Sequence, residues 1–380
     1  MCRIGSLSKG ELQFVGGTMA DVITDVKEVT PDWLTTVLRA SGHLDQGQVT
    51  AVELKSSRQT IISNIHYLQM VCTADTPERP PSKLFLKLSK DGFDLDIAAR
   101  FGKRESEYYS VIAKSMNDPP SATCYDAVFS PDTGKSHILL ADLSETHFQT
   151  DWPLPPTMPH CEAVIDSLAK FHAAWWDHPQ LGKSIGKFPS AGSIDEYVQT
   201  MEKKFAGFVD FLDDRLSADR RRLLERVLST APGLWKERIR EDRTDRKDLT
   251  LIHGDAHFWN CLHPRRLDQD KVYIIDWQCW RIDTATDDLA YMIGLHWYPD
   301  RRRALERDLL RTYHDKLLVY GVKNYDSDAC WYDYRLSAIG NLFVPLWQWS
   351  AKLWPVIWWP HLERAILTFE DLDCEELLQR

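Results

Sequence analysis

Two apolar runs of strand length, Leu249-Thr250-Leu251-Ile252 and Lys271-Val272-Tyr273-Ile274-Ile275, interrupt a second half that is otherwise patterned for helices. Each run ends on a block of polar residues. The first leads into His253-Gly254-Asp255-Ala256-His257-Phe258-Trp259-Asn260 and the second into Asp276-Trp277-Gln278. Short strands set among helices put the residues that follow them in loops held by a core, where binding and catalytic groups concentrate. Helix-like spacing covers 160–176, 194–213, 217–240, 300–320 and 329–353, so this half reads as a mainly helical lobe.

The first 140 or so residues follow a different pattern. Thr30-Pro31-Asp32-Trp33 reads as an N-cap with Pro in the first turn of a helix, and Gly42 closes that helix. Strands are expected at Val52–Leu54 and Ile65–Cys72, with a polar connection from Lys55 to Asn64 between them. Pro77 to Ser82 reads as a loop, and Lys83–Leu88 as a third strand. A helix is expected over 97–114, with Phe101, Tyr108, Val111 and Ile112 on one stripe. Two more strands, Cys124–Phe129 and His137–Leu140, flank the turn Pro131-Asp132-Thr133-Gly134. The prediction is an antiparallel sheet with one main helix. No internal repeat is present, and residues 1–18 read as a flexible leader before a possible start at Met19.

Composition narrows the class. A chain of 380 residues with 43% hydrophobic and 27% charged residues can bury a sizeable core. Its 46 basic against 56 acidic residues argue against a nucleic-acid backbone as partner. The eight cysteines show no C-x-x-C pair, which suits thiols of a reducing, cytoplasmic compartment. The stretch Asn341–Pro360 holds five of the 15 Trp, but Gln348, Ser350, Lys352 and three prolines interrupt it. It reads as a buried aromatic helical region rather than a membrane insertion. The few basic residues there also argue against a peripheral membrane anchor.

Asp255 and Asn260 are five apart, and Asp276 follows sixteen after Asn260. Phosphoryl transfer needs a carboxylate to orient the attacking hydroxyl and oxygen ligands to hold Mg²⁺ against nucleotide phosphates. Asp255 can supply the first, and Asn260 with Asp276 the second. His253, His257, Cys261 and His263 also lie close together, but Gly254 and Asp255 break the helix that a His pair would need to bind zinc. Gly-Asp-Ala-His is similar to the opening motif of metallophosphoesterases, yet the later blocks of that motif are missing. His253 and Asp288 read as bracing residues.

The H-x-D-x-x-x-x-N block followed by Ile-Asp-Trp resembles the aminoglycoside phosphotransferase and choline kinase-like superfamily, and within it the ecdysteroid kinase-like phosphotransferases. Other pieces follow in the same order. Phe85-Leu86-Lys87 resembles the strand lysine that contacts nucleotide phosphates, and Glu105 the helix glutamate that pairs with it. Glu105 is preferred to Glu107 because it shares a stripe with Tyr108, Tyr109 and Ile112. Leu139-Leu140-Ala141-Asp142-Leu143 resembles the hinge whose backbone holds the base; such contacts suit ATP and leave GTP open. Leu168–Ala173 and Asp287–Ala290 match further family segments, so the likeness runs from about residue 24 to past 300. Two departures stand out. Trp277-Gln278 replaces the Phe-Gly of protein kinases, and no glycine lies between Lys55 and Met70, which leaves Ser63 and Asn64 as candidate phosphate contacts.

The resemblance implies an α+β, bilobal protein kinase-like fold with nucleotide in the interlobe cleft. The expected division is a nucleotide-binding lobe at 19–140, a hinge at 141–146 and a helical lobe at 147–380. It also implies an ATP- and Mg²⁺-dependent transfer of phosphate to a small-molecule hydroxyl. Trp331, Trp347, Trp349, Trp354, Trp358 and Trp359 lie where the superfamily builds its acceptor pocket, although aromatic stripes usually fill cores. Acidic residues are sparse there, which favours a hydrophobic or aromatic alcohol or phenol over an aminoglycoside, choline or other amino alcohol. A nucleotide-binding regulatory protein without turnover is the reading from another class.

Overall fold

The computed structural model describes residues 22–73, 82–90, 95–239 and 247–379. The expected leader, and all but the last residue of the expected Pro77–Ser82 loop, lie outside the described residues. The described chain forms two units. One holds everything up to Phe148 together with Leu262–Gln278; the other holds Gln149–Cys261 and Cys279 onward.

In the first unit, helix α1 (Pro31–Ala40) starts where the sequence predicts, with the Thr30 hydroxyl accepting the Trp33 N–H and Pro31 in the first turn. Strands β1 (Val49–Gln59), β2 (Ser63–Cys72), β3 (Lys83–Ser89), β4 (Cys124–Phe129) and β5 (Ser136–Ala141) make an antiparallel sheet in the order β1-β2-β3-β5-β4. On β3 the alternation is plain. Leu84, Leu86 and Leu88 are buried with Leu34 and Leu38 of α1, which leaves Lys83, Phe85 and Lys87 for the opposite face. β1 runs well past Leu54, so most of the expected Lys55–Asn64 connection is strand. Gln59 pairs with Asn64, and the turn closes through Thr60 and Ser63. The reason is position: an edge strand has one neighbour, so Lys55, Ser56, Ser57 and Arg58 reach solvent without breaking the ladder.

Helix α2 (Leu95–Glu107) runs into a π-helical turn at Tyr108–Ile112 and a short 3₁₀ turn at Ala113–Ser115. The additional residue in the π turn rotates the stripe. Tyr109 is buried in place of Val111, which is 41% exposed. The sequence reading places everything after 147 in the second lobe, whereas Leu262–Gln278 belongs to the sheet unit. Backbone contacts explain this: the Ile274 N–H donates to the Pro120 carbonyl at 2.6 Å, and the His147 ring donates to the Lys271 carbonyl at 3.0 Å.

The second unit is helical. α3 (Met158–Trp175), α4 (Ala191–Leu212), α5 (Ala218–Ile239), α6 (Thr286–Leu289) and α7 (Pro299–Val319) are followed by α8 (Ser327–Asn341), α9 (Phe343–Ser350), α10 (Pro355–Asp371) and α11 (Glu375–Leu378). The expected single helix over 329–353 is two, broken at Leu342, and α10 begins with Pro355 in its first turn. The Trp-rich stretch therefore breaks into short helices. No helix among the described residues is long and apolar enough to cross a membrane. Trp349 and Trp358 pack on Phe208 and Phe211 of α4, while Trp354 is 76% exposed. The strand Thr250–Ile252 pairs antiparallel with Arg281–Asp283 in the middle of these helices.

Candidate active site

The sheet unit gathers three charged groups. Lys87 projects from β3, and its ammonium lies 3.0 Å from Glu105 Oε1 and 2.7 Å from Oε2. The same nitrogen donates to Asp276 Oδ1. Glu105 sits on the buried face of α2; Glu107 lies 3.9 Å from Lys103 instead. Burial works against the Lys87 charge, but its two carboxylates outweigh it and hold the proton more firmly than in water. Burial, aided by Asp276 and opposed by Lys87, pushes the Glu105 carboxyl up to about 7. One ammonium thus faces two carboxylates, an arrangement with negative charge to spare.

Asp276 follows the strand Tyr273–Ile274 with φ +67°, a left-handed conformation that costs a non-glycine residue on the order of 1 kcal/mol or more. Its neighbour fixes it there. Trp277 donates through Nε1 to the Ile274 carbonyl at 2.8 Å and stacks on Tyr108, with ring centroids 3.8 Å apart and planes 3° from parallel. Tyr108 opens the π turn of α2, so the helix distortion and the strained aspartate meet in one contact.

The remaining nucleotide candidates lie along the same sheet. The Ser63 N–H is held by Thr60 Oγ1 at 3.0 Å. Asn64 Oδ1 is buried and has no hydrogen-bond partner among the described residues. Leu140 is buried in β5 opposite Phe85, and Asp142 accepts the Ser144 N–H at 2.9 Å. A cavity of about 420 Å³ reaches Asp142 but not Ser63, Asn64 or Leu140; Lys55, Tyr67, Gln69, Lys83 and Ser144 line it with Asp142, among others. Tyr67 meets Phe85 edge to face with centroids 5.6 Å apart.

The helical unit holds the loop that follows Thr250–Ile252. Gly254 has φ +79°, and a Cβ there would lie 2.3 Å from the Cys279 carbonyl oxygen, so only glycine fits. Asp288, fully buried, accepts the His253 N–H at 2.7 Å, the Gly254 N–H at 2.8 Å and the His172 ring at 3.2 Å. Burial opposes its charge, yet these donors hold its carboxyl below the usual carboxylate range. The loop is thereby clamped from beneath. Asp255 stands at its turn, 3% exposed, with its N–H on His253 Nδ1 at 3.2 Å. Tyr291 donates to Asp255 Oδ1 at 2.9 Å, and Asn260 Nδ2 donates to the Asp255 carbonyl at 3.1 Å and to Oδ2 at 3.3 Å.

That use of the Asn260 amide bears on Mg²⁺. With its N–H groups turned to Asp255, its Oδ1 is the atom left to ligate, and Asp276 adds a carboxylate next to a surplus of negative charge. Each, in its own unit, is a hard oxygen donor of the kind Mg²⁺ accepts beside water and phosphate. No group of three His, Cys, Asp or Glu among the described residues could hold an ion.

Several neighbours of Asp255 were not legible in the sequence. The rings of Trp259, Tyr291 and His361 surround His296, at centroid distances of 5.3, 5.1 and 4.7 Å. His296 Nδ1 donates to the Tyr291 carbonyl at 3.0 Å, and His361 Nδ1 lies 3.0 Å from Gln348 Oε1. Burial, with the His361 ring, holds His296 well below the ordinary imidazole range; burial, with Arg364, brings His361 down to about 3. Sequence reasoning looks to the Trp residues of 331–359 for an aromatic wall, while these rings come from three separate segments.

The same fold occurs at 14% identity in a provisionally assigned aminoglycoside phosphotransferase of Ralstonia eutropha, with a TM-score of 0.51 over 90% of this chain and 98% of that one. An ethanolamine kinase of Plasmodium vivax shares 12% identity, with a TM-score of 0.50 over 85% of this chain and 81% of that one. No curated protein matches the sequence. The fold, taken with the family match, makes the chain a small-molecule kinase, a phosphotransferase of the bilobal α+β class. The model of the ecdysteroid kinase-like family matches residues 101–321, well over half of the chain, and the chain belongs to that family.

Proposed function

We propose that this chain is an ATP- and Mg²⁺-dependent kinase that moves the γ-phosphate to a hydroxyl of a small, fairly hydrophobic or aromatic alcohol or phenol. The observation that carries the reading is the Asp255 loop: a buried carboxylate, oriented by Tyr291 and Asn260 on a turn that only glycine can form. In this reading Lys87 binds the nucleotide phosphates and Glu105 keeps Lys87 in place. Asn64 and the Ser63 backbone lie at the phosphate end of the sheet. The cavity that Asp142 lines takes the base, with Leu140 two residues before it on β5; its volume of about 420 Å³ lies within the range of small-molecule sites. Asn260 Oδ1 and Asp276 are the ligands for Mg²⁺, which when bound offsets charge on the phosphates.

Asp255 orients the acceptor hydroxyl. The acceptor oxygen bonds to the γ-phosphorus as the bond from phosphorus to the bridging oxygen breaks, ADP leaves, and the hydroxyl proton passes to Asp255. Positioning matters more than early deprotonation because the transition state is loose. Aromatic rings and neutral imidazoles around Asp255, with few carboxylates, suit an uncharged acceptor better than a polycation. A cytoplasmic location accords with the use of ATP.

The test is ³¹P NMR of the purified protein with ATP, Mg²⁺ and a pool of alcohols, phenols, amino alcohols and sugars. A Mg²⁺-dependent phosphomonoester signal is expected. Asp255→Asn should lower its rate of appearance at least about a thousandfold while leaving ATP affinity within about twofold. Full activity in that variant would sink the assignment.

A further inference from the structure

Tyr291 is 3% exposed and sits in the second π-helical turn among the described residues, Ala290–Gly294, directly after α6. Such turns give up regular α-helical hydrogen bonds and persist only where the freed groups find other partners. Here they do. The Ala290 carbonyl accepts from Asn341 Nδ2 at 2.8 Å, the Tyr291 carbonyl from His296 Nδ1 at 3.0 Å, and the Gly294 carbonyl from Thr368 Oγ1 at 3.1 Å. The three donors are buried and come from three segments of the helical unit. A distortion supported from three directions is built to hold one geometry, and that geometry brings the Tyr291 hydroxyl to 2.9 Å from Asp255 Oδ1.

The consequence falls on the Asp255 carboxylate. Its side chain can rotate about the bond that carries the two oxygens, and a donor on each oxygen removes that freedom. Of these two donors the Tyr291 phenol is the closer, at 2.9 Å on Oδ1 against 3.3 Å for Asn260 on Oδ2. A misplacement of about 1 Å in such a group can cost on the order of a hundredfold in rate.

We propose that Tyr291 is a positioning residue of the phosphotransfer, acting through Asp255 by fixing the orientation of its carboxylate. The proposal rests on the phosphotransfer reading of Asp255. Tyr291→Phe removes the hydroxyl alone and keeps the ring against His296. The measurement compares wild type and Tyr291→Phe by ³¹P NMR, using water as acceptor if no alcohol of the pool serves, alongside thermal unfolding and a crystal structure of the variant. The expected result is a fall in kcat of about tenfold with the KM for MgATP unchanged and the thermal midpoint within about 2 °C. In the crystal the Asp255 carboxylate should be rotated away from Asn260. A kcat within twofold of wild type, or a fall that tracks lost stability, overturns the proposal. If wild type turns over no ATP at all, the phosphotransfer reading fails, and the crystal decides the positioning role by itself. A rotated carboxylate supports it, and an unmoved one overturns it.

Discussion

Lys87 holds one positive charge between two carboxylates, and the balance among the three decides how the sheet unit responds to pH. Glu105 sits up at about 7, above its ordinary 4.5, so the folded protein binds a proton there that the unfolded chain releases. Stability from this group is therefore present at low pH and is lost as the pH rises through about 7. Lys87→Met should cost about 3 kcal/mol at pH 8, because it leaves two buried carboxylates without their cation. The loss should shrink at pH 6, where Glu105 takes up a proton. Urea unfolding at the two pH values checks this, and equal losses at both would contradict the charge assignment. At this scale the sequence was informative where the residues were contiguous. Asp255 and Asn260 could be paired because a single loop carries both. Tyr291 could not be found that way, since its place against Asp255 arises from a helix distortion that no residue type announces.

Among the elements, the loop at Gly254 is the least tolerant. Gly254→Ala brings a Cβ to 2.3 Å from the Cys279 carbonyl oxygen at a φ of +79°, and the backbone has to move. A cost of about 3 kcal/mol or more is expected, read as a drop of roughly 10 °C in the thermal midpoint together with lost phosphotransfer. A variant that melts like wild type would show the turn to be softer than its contacts suggest. Elements with a strong period or a cap were legible, as with β3, whose leucines alternate, and α1, which opens on Thr30-Pro31. β1 was hidden by its polar edge, where no buried face imposes alternation. The α8–α9 break was hidden in a stretch so apolar that no period distinguishes one helix from two. Both π turns escaped because one additional residue shifts the stripe without changing its composition.

For the whole molecule, acidification should act through the helical unit with the sign opposite to that of Glu105. His361 falls to about 3, and His296 lies well below its ordinary 6.5, so the unfolded chain takes up protons that the folded protein refuses. Their contribution is complete above about 6.5 and is lost as the pH falls towards about 3. His361→Gln should keep the contact with Gln348 while flattening this loss by up to about 1.4 kcal/mol per pH unit. Urea midpoints of wild type and variant from pH 7 to 4.5 measure the difference, and parallel curves would mean that His361 does not titrate on unfolding. The two-unit organisation was legible only in part. The change from sheet to helices shows in the patterning, but the return of Leu262–Gln278 to the sheet unit does not, because its strands are too short to leave a period. That return has a bearing on inheritance. The sheet unit is no contiguous cassette, so a recombination event that exchanged only the first 148 residues with a relative would carry Lys87 and Glu105 but leave their partner Asp276 behind. The three residues travel intact only when the exchanged segment runs past Asp276, and on a ribosome the charge cluster cannot close until Asp276 has been made.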